Sequence, residues 1–300
     1  MAAVAANDRS HDRSLDQHGA GPTVPRMILG AQLRQLREAQ GLSREAAGDA
    51  IRGSSSKISR LELGRTGSKI RDVADLLTRY GVTDEAQRAT LLALAKAGNA
   101  PAWWHQYNDV VPGWLQPYLG LEQAATVIRS YEVQYVPGLL QTADYARAVI
   151  RLGYRNASAE EIERRVDLRM KRQEILHQGR VPHLWVVIDE AALRRPPGTP
   201  TTMRSQLMYL LEVSELPHVT VQVMPFDVGG HAAIGTPVTI LRPPGGALPD
   251  VVYLERHNGA SYPSRPGEIE HYRHLMNRLV VDAEQPLSTR ALLHRLLRET

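Results

Sequence analysis

The stretch Leu29-Gly-Ala-Gln-Leu33-Arg-Gln-Leu36-Arg37-Glu-Ala-Gln-Gly41-Leu-Ser43-Arg44-Glu-Ala46-Ala47-Gly48-Asp-Ala-Ile51-Arg52-Gly53-Ser54-Ser55-Ser56-Lys57-Ile58-Ser59-Arg60-Leu61-Glu62-Leu63-Gly64-Arg65 carries its own helix starts and stops. From Met27 on, Leu29, Leu33 and Leu36 recur at helical spacing on one face, and Gly41 supplies the left-handed stop. Ser43 is a good N-cap for a second helix carrying Ala46, Ala47 and Ile51, which breaks at Arg52-Gly53. A third helix begins in the serine run 54–56, turns Ile58 and Leu61 inward and stops at Gly64. Working outward, Ser68 opens a fourth helix with Ile70, Val73, Leu76, Leu77 and Tyr80 inward and Gly81 as its stop. Thr83 caps a fifth that runs to about Ala97. Five short helices within residues 26–98 predict an all-α domain.

The charge distribution singles out the same region. Across 300 residues the net charge is +4. Residues 26–82 hold eleven Lys or Arg against six acids, residues 1–25 are net −1, and residues 83–300 are balanced. All of the positive excess therefore sits on the short helices, the electrostatic footprint expected of a nucleic-acid binder. A solvated basic helix face is the plainer alternative.

The flanking regions differ in kind. Residues 1–25 are small, polar and charged, a composition that predicts a disordered tail. Residues 99–120 crowd Trp103, Trp104 and Trp114 with Tyr107 and Tyr118 around prolines, which suits interdomain packing or a partner-docking patch. Residues 121–300 alternate elements: helical patterns over 137–152, from Ser158, around Met203 to Leu211, over 268–281 and over 288–297, with short β-branched runs at 183–188, 219–223, 237–241 and 251–254. This predicts an α/β or α+β domain with a sheet of roughly four strands, serving regulation, dimerisation or partner binding.

Several classes of chemistry lack their residues. There is no cysteine, so no disulfide, thiolate metal site or cysteine nucleophile. No apolar run approaches the roughly 20 residues of a membrane span, and the N-terminus has no apolar h-region, so a cytoplasmic, nucleoid-associated address is expected. G-x-S-x-G, a Walker loop and G-x-G-x-x-G are all missing, and Gly229 to Gly235 is only a glycine-bearing loop. His271 and His274 with Glu268 and Glu270 share a helical face but suggest no third ligand site. Asp189-Glu190 suits capping of a following helix better than acid/base work, because adjacent strand residues point to opposite sides. The expectation is a protein that is not an enzyme, with no cofactor and no metal.

The strings Leu-Gly-x-x-Leu-Arg-x-Leu-Arg-Glu-x-x-Gly-Leu-Ser, Ala-Ala-Gly-x-Ala-Ile and Ser-Lys-Ile-Ser-Arg-Leu-Glu-Leu-Gly-Arg resemble the XRE/Cro-type helix-turn-helix family. The small Gly48 suits a close crossing of the second and third helices. The resemblance implies that Arg37 and Glu62 form a structural ion pair between helices one and three. It places Ser55, Ser56, Ser59 and Arg60 on the exposed face of the recognition helix, with Arg60 the strongest base reader, since a guanidinium can bond guanine O6 and N7 together. Ser43, Arg44, Ser54, Lys57 and Arg65 suit phosphate contacts at helix ends. Three short serines make a poorly discriminating face, so Arg60 and DNA shape are left to carry much of the specificity.

Residues 103–299, through strings such as Trp-Trp-His-Gln-Tyr, Gly-Trp-Leu-Gln-Pro-Tyr-Leu-Gly-Leu-Glu and Glu-Leu-Pro-His-Val-Thr-Val-Gln-Val-Met-Pro-Phe, resemble the C-terminal domain of a large group of actinobacterial helix-turn-helix regulators. That resemblance implies a sequence-specific transcriptional regulator of double-stranded DNA, antitoxin-like and paired with a small acidic protein. A homodimer is expected because one recognition helix reads too few base pairs. The alternative is a DNA-tethered small-molecule sensor or enzyme domain.

Overall fold

The computed structural model describes residues 21–177, 179, 181–233, 236–257 and 259–300. The expected tail falls outside these residues up to residue 20. Its last part does not behave as a tail, for α1 (Thr23–Ala39) starts four residues before Met27 and buries Thr23, Val24 and Pro25. Then come α2 (Arg44–Ala50), α3 (Ser55–Glu62), α4 (Ile70–Arg79) and α5 (Glu85–Ala97). Ser43 and Ser54 cap α2 and α3 by accepting from the N–H groups of Ala46 and Lys57 at 3.1 and 3.3 Å. Two caps differ from expectation. Asp84 rather than Thr83 accepts from Gln87 N–H at 2.8 Å. The fourth helix starts after Lys69, because Asn99 holds the Ser68 backbone from both sides, accepting its N–H at 3.2 Å and donating to its carbonyl at 2.6 Å. Ile70 is therefore an exposed first residue, not a core one.

Two glycines answer to close approach. A Cβ at Gly30 would lie 2.5 Å from the Leu61 carbonyl oxygen, so α1 and α3 cross in near backbone contact. At Gly48 a Cβ would meet the Gly53 carbonyl oxygen at 2.7 Å. The turn after α2 thus requires this glycine, rather than the body of α3.

Beyond a short 3-10 turn at Trp103–Tyr107 the chain forms α6 (Gln116–Ala124), β1 (Val127–Glu132), α7 (Ala143–Gly153), α8 (Ala159–Gln173), β2 (His183–Asp189), α9 (Glu190–Arg194) and α10 (Pro200–Val213). It continues with β3 (Val219–Met224), β4 (Val238–Arg242), β5 (Val251–Arg256), β6 (Gly259–Ser261), α11 (Pro266–Asp282) and α12 (Pro286–Glu299). The sheet has six strands in the order β3-β2-β1-β4-β5-β6, not the expected four. β1, β2 and β3 run parallel, and β4, β5 and β6 join antiparallel. Central β1 is hard to see in sequence because Arg129, Ser130 and Glu132 interrupt its apolar residues, and β6 has only three residues.

Alternation sorts the two faces. Tyr131, Val187, Val238, Ile240 and Val252 pack with Met276 and Leu279 of α11. Ile128, Val186, Ile188 and Leu241 belong to the core built with Tyr145, Leu207, Leu210, Leu293 and Leu296 of α7, α10 and α12. The outer edge of β3 is covered by the α11–α12 connection: Glu284 N–H donates to the Val223 carbonyl at 2.9 Å, and Thr289 Oγ1 accepts from Val223 N–H at 3.0 Å. Val24 and Leu29 of α1 share one continuous core with Tyr118 and Leu121 of α6, which seats the helical domain on the sheet domain.

Candidate nucleic-acid interface

The unit α2–turn–α3 is fixed from behind by charge. Arg37 grips Glu62 with two hydrogen bonds, Nε to Oε1 at 2.5 Å and Nη2 to Oε2 at 3.0 Å, and both side chains are buried. The same arginine donates to the Leu42 carbonyl at 2.8 Å, tying the α1–α2 corner to the pair. Hydrogen bonding to Glu62 raises the Arg37 pKa above its ordinary value. Burial lifts the neighbouring Tyr80 hydroxyl to about 12.

The turn itself is a Schellman motif. Gly53 N–H donates to the Gly48 carbonyl at 2.8 Å and Arg52 N–H to the Asp49 carbonyl at 3.2 Å. The left-handed residue, at φ 51°, is Arg52 and not the adjacent Gly53. A non-glycine residue there is strained, and it presents an exposed guanidinium just before α3.

On α3, Ser56 and Arg60 are exposed and Ser59 is half-buried. Leu63 follows at the helix end, 49% exposed. Residues 56, 59, 60 and 63 lie at i, i+3, i+4 and i+7, so they make one stripe. Sequence reasoning named the first three and missed Leu63, although the same spacing points to it. Ser55 is half-buried. The Glu45 backbone N–H first, then the hydroxyls of Ser43 and Ser55, hold the Glu45 carboxyl below the ordinary range.

The residues assigned to phosphates are not equivalent. Ser43 and Ser54 accept backbone N–H groups; the Ser54 hydroxyl proton is left to donate outward, whereas that of Ser43 serves the Glu45 carboxyl. Arg44 is exposed but its Nε reaches Glu62 Oε2 at 3.3 Å. Lys57 binds Asp72 at 2.6 Å, fastening α3 to α4. Arg60 and Arg65 are exposed and make no ion pair among the described residues.

The other sequence candidates separate. Trp104 is buried with Ala102, Val111, Leu119 and Leu168, and Trp103 packs edge-on against it at 5.8 Å. Half-buried Trp114 packs against the main core and accepts the Tyr262 hydroxyl at its carbonyl, 3.4 Å away. Asp189 accepts from Ala191 N–H at 2.8 Å and so caps α9, while Glu190 accepts from Phe226 N–H at 2.9 Å and from Arg194. His274 Nδ1 lies 3.0 Å from the Glu270 carbonyl of its own helix, to which it donates, and no three metal-binding side chains cluster among the described residues. Ile234 and Gly235 of the glycine-bearing loop lie outside the described residues. Among the described residues no helix is long and apolar enough to cross a membrane.

Known families match both halves of this arrangement. A family model described as a helix-turn-helix domain matches residues 28–91. A second, described as a domain of unknown function (DUF5753), matches residues 115–295. No curated protein and no solved structure matches the chain.

Proposed function

The chain belongs to the DUF5753 family and carries a helix-turn-helix domain ahead of it, and from that premise we propose that it is a sequence-specific transcriptional regulator of double-stranded DNA acting in the cytoplasm on the nucleoid. The observation that carries this reading is the stripe of Ser56, Ser59, Arg60 and Leu63 on α3, with the Arg60 guanidinium unpaired among the described residues. In the XRE/Cro-type docking, α3 enters the major groove while Ser43, Ser54, Arg44, Arg52 and Arg65 meet phosphates around it. Arg60 then bonds one guanine bidentately, and the Leu63 methyls suit a thymine methyl.

Such a helix reads few base pairs, so the protein acts as a two-fold dimer on inverted half-sites, with the C-terminal domain supplying the dimer contact. It is not an enzyme in this reading. Its antitoxin-like role with a small acidic partner rests on the resemblance of residues 103–299 alone. The test is selection of binding sites from random duplexes with the full chain, followed by a salt titration on the selected site. Inverted repeats and a log-linear fall of affinity with salt are expected. Affinity that is flat in salt sinks the reading, and light scattering that finds a monomer on DNA removes the dimer.

A further inference from the structure

β1 and β5 run in the same direction on either side of β4, so their carboxyl ends lie side by side. Ser130, Thr239 and Tyr253 are in register on one face, and Glu132 and Glu255 sit one pleat further along that face. Two strand spacings hold these carboxylate-bearing residues roughly 10 Å apart at the backbone. The strand between them begins after Pro237, which has no N–H to offer either. Here the chain leaves β1 for parallel β2 on one side, while antiparallel β4 packs on the other.

Helix α8 brings two arginines to this face, and they differ. Arg172 is committed to Glu122 by two hydrogen bonds of 2.9 Å. Arg169 has one, from Nη1 to Gln141 Oε1 at 2.8 Å, and no carboxylate at ion-pair distance among the described residues. Buried Gln141 is itself fixed by donating to the Val136 carbonyl at 2.7 Å, so the guanidinium is held in position. Half-buried Glu132 has only the Ser130 hydroxyl at 3.4 Å and likewise no cation at ion-pair distance. Glu255 accepts the Tyr253 hydroxyl at 3.0 Å. Burial, then Glu255, push the Glu132 carboxyl up to about 8 against the pull of Ser130, Arg169 and Arg172; the Tyr131 and Tyr145 hydroxyls feel it too. A guanidinium without a carboxylate partner thus shares this face with a carboxyl that stays protonated below about pH 8. Desolvation makes charge on either costly unless something with the complementary charge comes between them.

We propose that the carboxyl end of β1 binds a small zwitterion of the α-amino acid type, its carboxylate on Arg169 and its ammonium between Glu132 and Glu255. Tyr253, tilted against Tyr118 at 4.3 Å and edge-on to Tyr262 at 5.5 Å, walls the site for an apolar or aromatic side chain. The site lies in the sheet domain and holds whether or not α3 reads DNA.

The test is isothermal titration of the full chain, without DNA, with each of the twenty common L-amino acids. For any that binds, the amine lacking the carboxylate and the acid lacking the amine follow. Saturable binding of at least one amino acid is expected, weakened about tenfold or more by loss of either ligand charge, by Arg169→Gln or by Glu132→Gln. At pH 7 binding should release protons as the ammonium displaces the Glu132 proton, so the measured heat should vary with the buffer's ionisation enthalpy. A silent panel overturns the proposal, as does binding indifferent to both substitutions. Thermal melts without ligand supply a second measurement. A raised carboxyl pKa means that folded-state stability falls as pH climbs from the ordinary carboxylate range through about 8. Glu132→Gln should therefore melt higher than the parent at pH 8 and nearly alike at pH 4. A lower melting temperature at pH 8 would mark Glu132 as a structural partner of Arg169 and defeat the site.

Discussion

The helical domain and the sheet domain each enclose a bidentate arginine–glutamate pair, and the surroundings of the two pairs differ. Arg37–Glu62 joins α1 to α3 across 25 residues and draws in a second arginine, exposed Arg44. Arg172–Glu122 joins α8 to α6 across 50 residues, with its guanidinium over the Tyr118 ring at 5.5 Å. Burial and Glu122 raise the Tyr118 hydroxyl well above its ordinary value, so that environment is closed. Around the first pair the remaining charges turn outward, and residues 26–82 keep a positive excess of five. Around the second they turn inward, in a region whose charges balance. An outward, unbalanced surface suits an extended polyanion, and an inward set of charges suits a small polar ligand.

The sharpest way to break this comparison is to remove one acid from each pair. Glu62→Ala and Glu122→Ala each leave a buried guanidinium unpaired and should cost about 3–5 kcal/mol. Because Val24 and Leu29 share a core with Tyr118 and Leu121, scanning calorimetry should show one cooperative transition, displaced downward in both variants. Two separate transitions for Glu62→Ala, only one of them displaced, would show that the helical domain unfolds alone and that the shared core does not couple the two.

Legibility in the sequence follows the same division. The five helices were readable because their signals are local: leucines at helical spacing, Ser43 and Ser54 as caps, and Gly41, Gly64 and Gly81 as stops, all three at positive φ. What was missed there depends on tertiary contact. Lys57 looks free in sequence until α4 brings Asp72 beside it, and Ser68 looks like a cap until Asn99, 31 residues away, takes its backbone. In the sheet domain even an element was hidden. β1 carries Arg129, whose partner Asn277 lies 148 residues on, and its last residue Glu132 reads as a surface acid until β5 supplies Glu255. Ser56, Ser59 and Arg60 of the α3 stripe are legible one by one, whereas the charges at the end of β1 gain meaning only when the topology places them together.

Binding measurements sharpen the outward half. Arg60→Ala should lose about 1–3 kcal/mol on the selected duplex and little on a scrambled one, since a bidentate guanine contact discriminates while a phosphate contact does not. Arg44→Ala should weaken both duplexes alike and reduce the salt slope by about one unit, with a modest fall in melting temperature from its contact to Glu62. Equal losses on both duplexes for Arg60→Ala would move Arg60 to the phosphate class. Leu63→Ser should cost about 1 kcal/mol on a site with thymine at the contacted position and nothing where thymine is replaced, leaving stability unchanged because the side chain is exposed.

The smallest effect concerns Arg52, and its value lies in opposing signs. An L-residue in the left-handed region costs roughly 1–2 kcal/mol, and Schellman geometry at this place favours glycine. Arg52→Gly relieves that strain but adds freedom to the unfolded chain, worth about 0.4–1 kcal/mol the other way. The net expectation is a stabilisation of about 0.5 kcal/mol, read as a small rise in melting temperature. If the exposed guanidinium meets a phosphate next to α3, the same substitution should weaken binding to every duplex and lower the salt slope by about one unit. A more stable protein that binds DNA less well would identify a strained residue retained for its charge. Unchanged binding would leave the left-handed arginine without a role at the interface and confine the phosphate contacts to Ser43, Ser54, Arg44 and Arg65.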